Sequence, residues 1–173
     1  EATGSPNLWD EGANILYDGD SYDSTLRLAR FGVVPFFLLL VTVVWAWGFR
    51  LAGPIGALLA VLFTASQPVI LAHSGLATTD VAMVSLCSAA LLLFVGWLST
   101  RSLMSSVFLG LVVGLAVATK YSSIPFLAFA FLSAIVYRWY RQAGYWNPIK
   151  LFSSSDVSNL LAAALAAFVA LWL

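Results

Sequence analysis

The chain has 173 residues, a formal net charge of zero, 61% hydrophobic residues and 9% charged residues. Soluble domains carry about a quarter charged residues, so this composition excludes an ordinary soluble domain and indicates a membrane protein. The zero net charge gives no sign of a nucleic-acid surface. The single cysteine, Cys87, lies in an apolar run and cannot support a disulfide framework.

The chain opens on a polar segment, residues 1–26. This segment holds six acidic residues and no basic residue, and glycine, proline and asparagine interrupt it. Such residues favour turns and irregular backbone over a regular apolar helix. We therefore predict that residues 1–26 form an acidic loop outside the membrane.

Successive apolar runs fill the rest of the chain, and we predict a transmembrane helical domain over residues 27–173. Runs of about 17–25 residues are long enough to cross the hydrocarbon layer as helices, and these runs do not alternate as barrel strands do. Gly53-Pro54 marks a turn after the first run. The expected fold is an all-α, polytopic membrane protein with about six membrane helices. The predicted spans cover residues 31–49, 55–71, 81–98, 103–119, 124–139 and 157–173.

The final span reaches Leu173 without a polar anchor behind it, so we expect the natural protein to continue beyond this residue. Orientation follows from the basic residues that come after the first, third and fifth spans. The positive-inside rule places these residues in the cytoplasm, which puts the acidic loop on the extracytoplasmic side. The residues are Arg50, Arg101, Arg138, Arg141 and Lys150.

Five ionisable residues lie at span ends on the predicted outer side: Arg27, Arg30, His73, Asp80 and Lys120. Ionisable groups at a membrane boundary are costly, so they usually face a cavity, a partner or a ligand. Cations beside a carboxylate suit an anionic phosphate ligand, and Asp80 could also hold a divalent metal. One aspartate and one histidine do not define a metal site by themselves.

Each of these residues also has a purely structural interpretation. Arg27 and Arg30 could extend their side chains to lipid headgroups. His73 could be a hydrogen-bonded histidine at the interface, and Asp80 could cap the helix that follows it. Lys120 could form a structural ion pair with Asp80. The hypothesis of a ligand site therefore depends on all five residues lying on the same side of the membrane.

Several motifs resemble one family. After Gln67-Pro68, residues 71–80 read Leu-Ala-His-Ser-Gly-Leu-Ala-Thr-Thr-Asp, and residues 110–121 contain Gly-Leu-Ala-Val-Ala-Thr-Lys. Both stretches resemble motifs of the phospholipid-carrier-dependent glycosyltransferases that are related to protein O-mannosyltransferases. Leu28-Ala29-Arg30 enters the first predicted span and is similar to the family's arginine at the matching place, and residues 9–17 resemble the end of the family's first outer loop.

The resemblance implies that the chain is part of a GT-C fold. Such enzymes transfer a sugar from a polyprenyl-phosphate carrier to an acceptor on the extracytoplasmic face. A carboxylate would accept the proton of the acceptor hydroxyl. Basic groups, with or without a divalent metal such as Mg²⁺ or Mn²⁺, would stabilise the negative charge of the leaving phosphate.

The resemblance also implies roles for single residues. Asp80 would be an acidic residue of the catalytic site and a possible metal ligand. Arg30 and Lys120 would bind the carrier phosphate, and His73 would line the same pocket. The family's principal Asp-Glu motif lies just after its first membrane helix, whereas Asp10-Glu11 looks like the end of that loop. This pair is either catalytic or a solvated acidic stretch.

Three functions are compatible with the sequence. The first is a glycosyltransferase fragment that is inactive alone, with membrane lipid, the carrier-linked sugar and other membrane subunits as partners. The second is a non-catalytic scaffold subunit, which the Gly110-x-x-x-Gly114 pattern fits equally well. The third is a transporter, which would place charges near the middle of the membrane. The resemblance favours the first function and a bacterial inner membrane.

Overall fold

The structure is a computed structural model that describes residue 7 and residues 22–141 and 154–172. Its regular structure within these ranges is all helical, as predicted. Asp10, Glu11 and Lys150 lie outside the described residues, and the division into a loop and a membrane domain stays a prediction. The helices are α1 (Tyr22–Phe31), α2 (Val34–Ala65), α3 (Pro68–Ser74), α4 (Asp80–Thr100), α5 (Leu103–Thr119), α6 (Ser123–Arg141) and α7 (Ser154–Leu171).

Helix α2 is a hairpin of two helical arms. Gly53 has φ 70° and ψ −166°, a conformation that is open essentially to glycine alone, and Pro54 follows it. Gly48 and Ala57 are nine positions apart, which in a straight helix would separate them by about 13.5 Å. Instead, a Cβ added to Gly48 would lie 2.7 Å from the Ala57 Cα. The chain therefore reverses at the turn that the sequence indicates.

The predicted span over residues 55–71 is wrong as a single helix. The second arm of α2 ends at Ala65, Gln67 is extended, and Pro68 begins the separate helix α3. Proline has no N–H to donate and restricts the residue before it, so a helix does not continue through this point. The interruption places His73 in the last turn of α3, close to the start of α4.

Helix α4 lies at the centre of the bundle and contacts α2, α3, α5 and α6. Its 21 residues extend for about 31 Å, which matches the thickness of the hydrocarbon layer. Within the described ranges, Tyr22–Ala65 and Asp80–Thr100 are the stretches long and apolar enough to cross a membrane by length and composition. Large apolar side chains such as Phe126 and Phe129 are exposed on the outer surface of the bundle, where lipid would contact them.

The chain connections define two ends of this bundle. We call one the Asp80 end, because the α1–α2 junction, the α3–α4 connection and the α5–α6 connection meet there. The other is the Arg101 end, which holds the α4–α5 connection and the beginning of α7. Small residues let α5 and α7 approach closely: a Cβ added to Gly114 would lie 2.5 Å from the Ala167 carbonyl oxygen.

Candidate functional site

Three different elements bring His73, Asp80 and Lys120 together at the Asp80 end. The Lys120 Nζ donates a hydrogen bond to the Asp80 Oδ1 at 2.8 Å. The His73 Nδ1 lies 3.4 Å from the other carboxylate oxygen, Oδ2. Because α3, α4 and the end of α5 each supply one residue, only the folded bundle creates this cluster. We call these three residues the Asp80 cluster.

Asp80 does not cap its helix. It is the first residue of α4, and the preceding Thr79 occupies the cap position without a side-chain hydrogen bond to the helix. A carboxylate in a first helical turn is favoured by the free backbone N–H groups there. Lys120 ends α5 in an extended conformation, with φ −162° and ψ 124°. The described contacts therefore favour the ion-pair interpretation of Asp80 over the capping one.

The cluster is accessible to a ligand. The side chains of His73, Asp80 and Lys120 are 41%, 40% and 47% exposed. An ion pair this exposed contributes little to the free energy of unfolding, although its charge-assisted hydrogen bond fixes the geometry. The His73 Nδ1 atom itself is buried, and its contact with Asp80 lacks hydrogen-bond geometry.

An apolar groove of about 370 Å³ opens beside the cluster. His73 and Asp80 form its polar part, and side chains from α2, α3 and α4 form the rest. A concave apolar surface with a few polar groups at one point suits an amphiphilic ligand, whose charged head and apolar chain need different surroundings. The apolar lining residues are Leu40, Val69, Ile70, Val81 and Val84.

A second cavity, of about 380 Å³, lies between the α1–α2 junction and the residues just before Asp80. Thr78 lines it, and the Thr78 Oγ1 is buried without a hydrogen-bond partner. A buried hydroxyl without a partner costs about 1–3 kcal/mol, which a bound polar molecule would recover. Nothing in the sequence pattern distinguishes Thr78 beyond its position two residues before Asp80. Reasoning from sequence alone therefore missed it as a candidate.

Arg30 lies near the cluster but does not join it. It occupies the last turn of α1, and its neighbours Ala29 and Gly32 line the second cavity. Over residues 22–141 and 154–172, no ion pair connects the guanidinium of Arg27 or Arg30 to Asp80. Both arginines are exposed at the same end of the bundle as the cluster.

The described residues do not by themselves fit a divalent metal. His73 and Asp80 are the candidate ligands that come together, and no group of three His, Cys, Asp or Glu side chains forms in the part of the chain that the structure describes. The ammonium of Lys120 already faces one oxygen of Asp80. A cation at Asp80 would therefore compete with this lysine and would need further ligands.

A polar cluster at the Arg101 end was not expected from the sequence. Arg101 donates to the Asp156 Oδ2 at 2.6 Å, and Asn159 Nδ2 donates to the Arg101 carbonyl oxygen at 2.7 Å. Asp156 is only 3% exposed. These contacts connect α7 to the α4–α5 connection. The charged clusters on α4 thus lie at its two ends, whereas a transporter would place charges near the middle of the membrane.

Comparison with known proteins agrees with the motifs. The sequence pattern of the dolichyl-phosphate-mannose-protein mannosyltransferase family matches residues 23–172, which include the whole Asp80 cluster. No curated protein and no solved structure gives a match. Members of this family are polytopic membrane glycosyltransferases that use a dolichyl- or polyprenyl-phosphate-linked mannose donor. The match spans most of the sequence, and with its apolar helices the chain is an integral membrane protein of the dolichyl-phosphate-mannose-protein mannosyltransferase family.

Proposed function

We propose that this chain provides the carrier-binding part of a glycosyltransferase that moves a sugar from a polyprenyl-phosphate carrier to an acceptor hydroxyl on the extracytoplasmic face. The observation that carries the proposal is the Asp80 carboxylate, held by Lys120 and next to His73 where the apolar groove opens. Family membership supports mannose as the sugar and a polyprenyl-phosphate donor.

The carrier phosphate is proposed to bind at Lys120. An ammonium has three N–H donors, so Lys120 can keep its bond to Asp80 and still donate to a phosphate oxygen. The first isoprene units would then lie along the apolar groove, which begins at the same residues. Arg30 is a second proposed phosphate ligand, by resemblance and because it lies at the same end of the bundle.

In the proposed reaction, the oxygen of the acceptor hydroxyl attacks the anomeric carbon of the sugar. The bond from that carbon to the phosphate oxygen breaks, and polyprenyl phosphate leaves with the bonding electrons. The Asp80 Oδ2, which Lys120 does not bond, is the proposed acceptor of the hydroxyl proton. Lys120 stabilises the leaving phosphate, because its charge lies where negative charge develops.

The acidic residues of the preceding segment remain part of the proposal. Asp10 and Glu11 are candidates for a second carboxylate at the site. A divalent metal such as Mg²⁺ or Mn²⁺ is also proposed, on condition that ligands beyond His73 and Asp80 complete its coordination. When bound, such a metal would supply further positive charge for the leaving phosphate.

The test is sugar transfer in membranes that contain the native protein with Asp80→Asn. We expect the rate of mannose transfer from dolichyl-phosphate mannose to fall by about 10²–10⁴-fold, the usual contribution of a general base. Asp23→Asn is the matched control, because Asp23 is an exposed carboxylate in the first turn of α1. Undiminished transfer by the Asp80 variant would remove Asp80 from the catalytic site. No transfer by the native protein itself would favour the non-catalytic scaffold.

A further inference from the structure

We propose a second binding site at the Arg101 end, a pocket that holds the phosphate of an anionic membrane phospholipid. The pocket lies between the last turns of α4 and α6 and has a volume of about 270 Å³. Its polar side chains come from Ser99 of α4 and from Tyr137, Arg138 and Arg141 of α6. This site is separate from the Asp80 cluster and does not depend on the proposed transferase activity.

The pocket combines the groups that recognise a phosphodiester. A guanidinium offers planar pairs of N–H donors that match phosphate oxygens, and the pocket has two of them, on Arg138 and Arg141. Arg138 Nη1 also donates a long hydrogen bond to the Ser99 Oγ at 3.4 Å, so this guanidinium faces α4. The rest of the lining is apolar, from Val95, Leu98 and Ala134, and suits the beginning of an acyl chain.

The basic residues of this pocket have no acidic partner among the described residues. There is no acidic residue between Asp80 and Asp156 in the sequence, and Asp156 is already paired with Arg101. Within the described ranges, no carboxylate lies at ion-pair distance from Arg138 or Arg141. Two like charges three residues apart on one helix repel each other. An anion bound between them removes this repulsion.

The position of the pocket identifies the ligand as a membrane lipid. Ser99 is nineteen residues after Asp80 on the same helix, about 28 Å away along the axis, which is close to one hydrocarbon thickness. The pocket therefore lies at headgroup depth in the opposite leaflet from the Asp80 cluster, so it does not hold the carrier phosphate of the reacting donor. Arginines that only extend their side chains to the lipid headgroups would not need to share a pocket with Ser99.

The experiment measures retained lipid by native mass spectrometry of the native protein, purified from vesicles of phosphatidylglycerol and phosphatidylcholine. We expect retention of phosphatidylglycerol in preference to phosphatidylcholine. The double variant Arg138→Gln with Arg141→Gln should lower that preference by about thirtyfold. This factor corresponds to a contribution of about 1 kcal/mol from each basic residue at a membrane surface. Equal retention of both lipids by the unchanged protein would overturn the proposal.

Arg50→Gln is the matched control, because Arg50 is an exposed arginine that lines none of the described pockets. The Arg50 variant should keep the preference for phosphatidylglycerol. If it loses as much of this preference as the double variant does, general surface charge explains the effect and the pocket does not. Arg141→Gln alone changes an exposed side chain, so it tests the site even where the double variant does not fold. This single variant should also show a weaker preference for phosphatidylglycerol. Displacement of the lipid by inorganic phosphate at equal concentration would contradict a lipid site, since that ion cannot use the apolar lining.

Discussion

Lys120 and Asp80 are 40 positions apart in the sequence, and the Lys120 Nζ lies 2.8 Å from the Asp80 Oδ1. The pair joins the end of α5 to the beginning of α4, and thereby joins the two motifs that resemble the glycosyltransferase family. Because both side chains are nearly half exposed, the pair contributes little to stability. Ligand binding is a better physical reason for charges at this place.

The Thr78→Val variant tests whether the Thr78 hydroxyl contacts a ligand or the side chain only packs. The change removes a buried hydroxyl without a partner and keeps the shape of the side chain. If Thr78 only packs, stability rises slightly and the KM for the donor stays the same. We infer that the donor reaches the second cavity beside Asp80 and binds the Thr78 hydroxyl, so we expect the KM to rise about tenfold when this hydrogen bond is lost. Steady-state kinetics and thermal unfolding measure the two effects.

The control for this prediction is Thr100→Val, which changes the same chemical group at an exposed position that lines none of the described pockets. We expect its KM to stay close to that of the unchanged protein. A KM that is unaffected in the Thr78 variant, together with a higher melting temperature, would show that the hydroxyl does not contact the donor.

Gly110→Ala should destabilise the contact between α5 and α7. A Cβ at this position would collide with the Ala163 carbonyl oxygen, which belongs to the backbone and cannot move aside cheaply. Overpacking of this kind costs about 1–3 kcal/mol. Thermal unfolding in detergent measures it, with Gly96→Ala as the control because a Cβ there meets nothing within 4 Å. Equal melting temperatures for the two variants would contradict the close helix contact.

Arg101→Ala should destabilise the protein more than Arg50→Ala. Arg101 is paired with Asp156, which is 3% exposed, so its removal takes an ion pair away from a buried carboxylate. Losing a charge-assisted hydrogen bond to a buried carboxylate costs about 1.5–3 kcal/mol, whereas replacing an exposed arginine without such a bond costs little. The midpoint of thermal unfolding compares the two variants. Matching midpoints would mean that the Asp156 contact is not needed to hold α7.

The sequence predicted the elements that depend on composition and on turn-forming glycine and proline residues. The apolar runs predicted an all-helical membrane protein, and Gly53-Pro54 predicted the reversal within α2, because glycine alone adopts that backbone readily. The interruption at Pro68 was missed because the apolar run continues through it. Proline restricts the backbone regardless of hydropathy.

The site was predicted less completely, since its geometry depends on contacts between distant helices. His73, Asp80 and Lys120 share one end of the bundle because span ends alternate between the two sides of a membrane. The burial of Thr78 and the pairing of Arg101 with Asp156 depend on helix packing, which hydropathy does not encode. One feature of the sequence could have indicated the pair. Asp156 precedes the last apolar run and Arg101 follows the third, and the predicted topology places both on the same side of the membrane.

The most direct test of the Asp80 cluster as a carrier site is the affinity of the native protein for polyprenyl phosphate. We predict that Lys120→Ala weakens this affinity by about tenfold or more, the effect of losing one charge-assisted hydrogen bond to phosphate. Arg50→Ala removes an equal charge at an exposed position that lines none of the described pockets, and should leave the affinity unchanged. Equal affinity of the Lys120 variant and the unchanged protein would contradict the proposed carrier site.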